Sequence, residues 1–157
     1  MSEERTPGAE VADGAPAGAG YADAQPAGPA YTAEQIAFLN AVFDAARAGD
    51  TAKVADLVDR GVPVDLTDAT GDTLLILAAH HDHGDLVRAL LDRGADTTRT
   101  NDRDQTALVA AVFRGAGPIV EHLLAAGADP ELGSPNAHAV ADHFALSEMT
   151  ELLEREV

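Results

Sequence analysis

The sequence predicts an all-α solenoid of about four stacked helix-turn-helix units, on three observations. The first is a period: "LVDRGVPVD" at 57–65, "LLDRGADTT" at 90–98 and "LLAAGADPE" at 123–131 recur in register, with Gly61, Gly94 and Gly127 spaced 33 residues apart. The same period relates Val54, Val87 and Val120, then Leu57, Leu90 and Leu123, then Thr73 and Thr106. The second is helical spacing of the apolar residues within each period. The third is composition: 46% of the 157 residues are apolar, yet only four are Phe, two are Tyr and none is Trp. Such a core must be built from Leu, Val and Ala, which favours short helices in close contact.

Taken in order, residues 1–30 are Ala, Gly and Pro with scattered acids, and "AGAGYADAQPAGPAY" has no apolar period able to bury anything. A disordered acidic tail is expected there, interrupted only by Tyr21 and followed by Tyr31. The pattern changes at Thr32, where a Gln follows three residues later and Ile36, Leu39, Val42 and Phe43 fall at helical spacing. A helix is expected over 33–48, closed by Gly49. Each later unit reads as a short helix ("TLLILAAH", "TALVAAVF"), a tight turn, a second helix ("DLVRALLDR", "PIVEHLLAA"), a Gly in the left-handed conformation and a polar loop. One such pair cannot bury both apolar faces alone, so neighbouring pairs must stack into a continuous core. Small Ala45, Ala46, Ala78, Ala79 and Ala111 allow close approach.

Charge and composition exclude several functions. Net charge is −17, from 27 acidic and 10 basic side chains, and only five of the acids lie in residues 1–30. So acidic a field repels phosphate, and no nucleic-acid partner is expected. With no Cys there is no disulfide, thiolate metal site or thiol nucleophile. The start, "MSEERTPGAEV", lacks a basic segment followed by an apolar run, and no stretch approaches a membrane span, so a cytoplasmic protein without membrane contact is expected. No Gly-rich phosphate loop, His-Glu-x-x-His or nucleophile elbow occurs, and carboxylate pairs such as Asp102 and Asp104 fall in a polar loop; an enzyme is not expected.

The 33-residue units resemble the ankyrin repeat. "DATGDTLLILAAHHDHGDLVRALLDRGAD" at 68–96 carries the family's pattern at Asp68, Gly71, Thr73, Leu75, Ala78, Ala79, His83, Val87, Leu90, Leu91, Gly94, Ala95 and Asp96. "NDRDQTALVAAVFRGAGPIVEHLLAAGAD" at 101–129 keeps Thr106, Leu108, Ala110, Ala111, Gly115, Val120, Leu123, Leu124 and the Gly-Ala-Asp. The resemblance implies an N-terminal cap repeat at 31–66, repeats at 67–99 and 100–132, and a C-terminal cap repeat at 133–157 whose inter-helix turn is about four residues short. The family's Pro and His in Thr-Pro-Leu-His are replaced by Leu74 and Ile76 and by Ala107 and Val109, so its Thr-His hydrogen bond cannot form. Modest stability is expected.

The histidine-rich "LAAHHDHGDL" at 77–86 then resolves into parts. By resemblance His83 sits on the family's own structural His, while Asp82 takes the turn position of Gly49 and Gly115, where a left-handed residue is needed and Asp is tolerated. His80 and His81 occupy positions the family leaves variable. Adjacent residues on a helix point about 100° apart, so this pair is poorly placed to share a metal ion, and no cofactor is expected. His122, His138 and His143 are scattered and expected to serve packing or the surface.

The resemblance implies that loop tips and first helices form a concave surface which binds another protein. Its variable positions here are Ala69, Thr70, Asp72, His80 and His81 in one repeat, and Asp102, Arg103, Gln105, Phe113 and Arg114 in the next. Phe113 stands out as a large aromatic beside an Arg, the pairing that binding hot spots favour, although it is equally suited to folding over the adjacent helix pair. A monomeric, non-catalytic adaptor or regulator is therefore expected, with one or more partner proteins, basic ones included. Two alternatives stand beside it. Small bacterial ankyrin proteins found beside catalase genes suggest a haem- or metal-handling accessory protein supporting catalase, with His80, His81 or Tyr31 as ligand. The charge suggests an acidic inhibitor of a basic partner.

Overall fold

The computed structural model describes residues 31–155; the expected tail of residues 1–30 lies outside them. The described residues form helices α1 (Ala33–Ala48), α2 (Thr51–Asp59), α3 (Leu74–His80), α4 (Gly84–Asp92), α5 (Ala107–Arg114), α6 (Gly117–Ala125), α7 (Ala137–His143) and α8 (Ser147–Arg155), with no strands. Each odd-numbered helix packs on the next odd-numbered one, each even-numbered helix on the next even-numbered one, and the two rows lie against each other. This is the all-α repeat solenoid that the period predicts.

The burial pattern follows from the stacking. Every residue of 74–79 and of 107–112 is buried, because α3 and α5 have a neighbour on both sides and a second-row helix behind. That enclosure explains why these two segments are apolar all round instead of amphipathic. Small Ala78, Ala79, Ala110 and Ala111 sit inside it. The outer row differs: α4 buries Leu86, Val87 and Leu90 and turns Asp85 and Arg88 to solvent.

Helix ends are set by residues in repeating columns. Thr32 opens α1 with a reciprocal box, its hydroxyl accepting from Gln35 N at 3.1 Å while Gln35 Oε1 accepts from Thr32 N at 2.8 Å. Thr73 and Thr106 accept from Ile76 N and Val109 N, each at 3.1 Å, which accounts for their recurrence. Asn136 does the same for α7, accepting from Ala139 N at 2.9 Å. Between paired helices, Asp82 adopts φ 62° where Gly49 and Gly115 adopt 76° and 68°, as the turn requires.

The last unit corrects the sequence expectation. Its inter-helix turn is not short: Ala145, at φ 53°, occupies the left-handed position one residue before Leu146, as Asp82 and Gly115 do in theirs. The missing residues come earlier. Thr73 and Thr106 follow Gly61 and Gly94 by 12 residues, whereas Asn136 follows Gly127 by 9. The deletion therefore shortens the loop before α7, which contains a cis Ser134–Pro135 bond. With neither a Gly in the turn nor a Thr at the cap, the sequence offers no landmark from which to place it.

Candidate functional site

Stacking places the carboxyl ends of α1, α3, α5 and α7 side by side, and the last turn of each carries a basic residue: Arg47, His80, Arg114 and His143. The repeat register puts Arg47, His80, Phe113 and His143 in one column and Ala48, His81, Arg114 and Phe144 in the next. Phe113 and Phe144 are 53% and 51% exposed, yet their rings meet edge to face with centroids 5.4 Å apart. The His143 ring stands edge-on to Phe144 at 4.7 Å. The result is a ridge along the row of first helices, histidine-rich toward the amino-terminal end of the stack and aromatic at the other. Phe113 thus touches the next helix pair and at the same time remains largely open to solvent.

His83 is tied into the scaffold. Its Nε2–H donates to the Arg47 carbonyl at 2.7 Å, and its ring lies so close over Gly49 that a Cβ there would sit 2.5 Å from Nδ1. Gly49 is needed both for its positive φ and for this approach. The exposed His81 ring is stacked toward His83 at 6.2 Å with 15° between planes, and lies 6.1 Å from His80 at 44°. Partial burial, then repulsion from His80, His83, Arg47 and Arg114, holds the His81 imidazole below its ordinary pKa. Arg47 is committed, pairing with Asp44 at 3.0 Å and Asp68 at 3.2 Å. Arg114 makes no ion pair or hydrogen bond among the described residues.

The loop-tip residues form a second group at the opposite end of the first helices. Seven residues of α3 at about 1.5 Å rise place the two groups roughly 10 Å apart. Here Ala69, Thr70, Asp102 and Arg103 are exposed, Gln105 is half-buried, and Asp72 is 7% exposed. Asp68 Oδ1 accepts from Thr70 N at 2.9 Å and Asp72 N at 3.0 Å; Asn101 Oδ1 accepts from Arg103 N and Gln105 N at 2.9 and 3.0 Å. The two loops join where Asn101 Nδ2 donates to Asp72 Oδ1 at 2.7 Å and Asp102 N donates to Thr70 O at 3.0 Å. Asp72 therefore points into the joint between repeats instead of outward, a correction to its expected place on the binding surface.

Arg47, His143 and Phe144 complete the ridge and were not singled out from sequence. The period alone leads from His80 back to Arg47, whereas the three-residue deletion hides the alignment of His143 and Phe144 with Phe113 and Arg114. Tyr31 lies elsewhere. It precedes α1 and lines an open groove of about 500 Å³ at the amino-terminal end of the stack with Phe38, Leu39, Leu57, Val62 and Leu66. The 16 residues of α1, about 24 Å long, separate it from the His80 and His81 end. Among the described residues no three His, Cys, Asp or Glu side chains are grouped to hold a metal ion, and no helix is long and apolar enough to cross a membrane.

A family model for ankyrin repeats, in three copies, matches residues 42–133. A Pseudomonas aeruginosa protein named as an ankyrin repeat protein is 41% identical over 51 residues, a stretch that covers 32% of this chain and 30% of that protein's length.

Proposed function

This chain belongs to the ankyrin repeat family, whose repeats are protein–protein interaction modules, and on that premise we propose that it is a non-catalytic adaptor or regulator that docks a partner protein along the ridge of first-helix ends. The observation that carries this is the exposed Phe113–Phe144 pair beside Arg114. All six residues before Phe113 in α5 are buried, so the stack had room to hide apolar surface, yet these two rings stay at the surface. Clustered exposed aromatics flanked by Arg are what interface hot spots are made of.

In this reading His80, His81, Phe113 and Arg114 make the principal contacts, and Ala69, Thr70, Asp102, Arg103 and Gln105 form a second row; Asp72 serves the scaffold. The binding unit is the stack of residues 31–155, acting as a monomer in the cytoplasm. Co-purification from the native cell with the wild-type chain and with Phe113→Ala tests the proposal. The variant keeps its helical circular dichroism but loses the co-purifying protein, its affinity falling at least fivefold, which corresponds to about 1 kcal/mol. Undiminished affinity places the interface elsewhere.

A further inference from the structure

We infer that the groove beside Tyr31 is filled by the chain's own amino-terminal segment, with the Tyr21 ring as its anchor. Leu57, Leu90 and Leu123 share one column of the repeat, yet Leu90 and Leu123 are fully buried and Leu57 is only half-buried. The stacking order gives the reason. In the row of second helices α4 has α2 before it and α6 after it, whereas α2 has only α4. Leu57 therefore lacks the cover that a preceding unit would bring, and it lines the open groove of about 500 Å³ together with Tyr31, exposed Phe38 and Leu66. The end units of a stack stay soluble by turning a polar face outward, and this apolar groove departs from that rule.

Chain order names the occupant. Units lie in the stack in the order in which they occur in the sequence, so the place ahead of the first unit falls to the residues before 31, which join the stack at Tyr31 on the groove wall itself. Between Val11 and Tyr31 the side chains are those of Ala, Gly, Pro, Asp and Gln, apart from Tyr21, the one ring available to fill the groove. Nine residues separate the two tyrosines. A Gly-rich linker of that length spans roughly 17 Å, which holds Tyr21 near the groove at an effective concentration on the order of millimolar. At that concentration a weak contact within the chain outcompetes the same contact from another molecule. Charge permits the approach: residues 21–30 carry Asp23 alone, the acids Glu3, Glu4, Glu10 and Asp13 stand farther along the chain, and Arg60 is part of the groove lining.

Tyr21 and Tyr31 are the two tyrosines of the full chain, so NMR with labelled tyrosine and leucine supplies the test. The Tyr21 ring protons should show through-space contacts to the Leu57 and Leu66 methyl groups, and Phe38→Asp, at a position 48% exposed, should remove them. Should that variant unfold the first unit, Tyr21→Ala takes its place, since it alters none of the described residues. It should shift the Leu57 and Leu66 methyl signals, while Tyr21→Phe, which keeps the ring, leaves them close to their wild-type positions. A mixture of labelled and unlabelled chains separates the sources. Contacts within one chain support the inference, whereas contacts only between chains overturn it in favour of a second copy at the groove. A Tyr21 ring without contacts to the stack, or methyl signals unmoved by Tyr21→Ala, overturns it outright.

Discussion

His83 and Gly49 join the first two units as a matched pair, the ring filling the space that a Cβ would take while its Nε2–H reaches the Arg47 carbonyl. The left-handed Asp82 could be read from the repeat register, because that backbone geometry recurs every 33 residues, whereas the structural role of His83 came from the family resemblance, its counterparts at 50 and 116 being Asp and Ala. Ala145 could not, since it stands where the other turns have Gly or Asp. An alanine at φ 53° costs about 1–2 kcal/mol relative to the right-handed region, of which glycine recovers all but its greater unfolded-state entropy. Ala145→Gly should therefore stabilise the chain by roughly 0.5–1 kcal/mol, read as a higher urea midpoint at unchanged slope; a lower midpoint would show that the turn is not strained. His81 makes a pH prediction. Its folded pKa lies below the unfolded value of about 6.5, so the unfolded chain binds the proton more readily. The stability this group contributes is present above that value and is lost as pH falls through 6.5 toward the folded pKa. Between pH 7.5 and 5.5 the His81→Gln variant should lose less stability than the wild-type chain, and equal losses would mean that neither partial burial nor the basic neighbours hold its pKa down.

Helices of seven to nine residues are too short to persist alone, so α3 to α8 hold their form through packing and through their ends. The Thr73 and Thr106 hydroxyls are buried and satisfy first-turn N–H groups that water cannot reach. Thr106→Ala should cost about 1–2 kcal/mol, toward the upper end of capping losses because Val109 N is left unsatisfied in the core, whereas Thr106→Ser should restore most of it. Equal midpoints for Ala and Ser would show that the loss is one of packing. Elements were legible wherever a column repeats: α1 with its Thr32 box, the Gly-terminated second helices, and the Thr-capped α3 and α5. The last unit was misplaced because Asn136 and Ala145 do the work of Thr and Gly without resembling them. The same three-residue shift hid Phe144, and with it half of the ridge, since its contact with Phe113 depends on stacking across a unit boundary. Asp72 was misjudged for a related reason: a variable loop position reads as outward until the next loop supplies Asn101 to cover it.

The stack as a whole is a one-dimensional array in which each unit touches only its neighbours, so its stability is a sum of unit and junction terms. Several junctions carry polar links, among them Arg93–Asp59 at 2.8 Å, Arg155–Glu121 at 3.0 Å and the Asn101–Asp72 bond. The two ion pairs are exposed, and pairs of this kind contribute little, about 0–1 kcal/mol each, in water. Against them stands a net charge of −12 over residues 31–155, from 21 acidic and 9 basic side chains, whose self-repulsion opposes folding at low ionic strength. Salt screens both, with a Debye length of about 10 Å at 0.1 M that shrinks to about 3 Å at 1 M. Unpaired carboxylates far outnumber paired ones, so the repulsive part is the larger loss. The thermal midpoint should accordingly rise by a few degrees between 20 mM and 500 mM sodium chloride, a salt chosen because sulfate would stabilise any fold by exclusion from the surface. A midpoint that falls with salt would mean that the inter-repeat ion pairs outweigh the repulsion, and the charge would then have to be read as part of the scaffold.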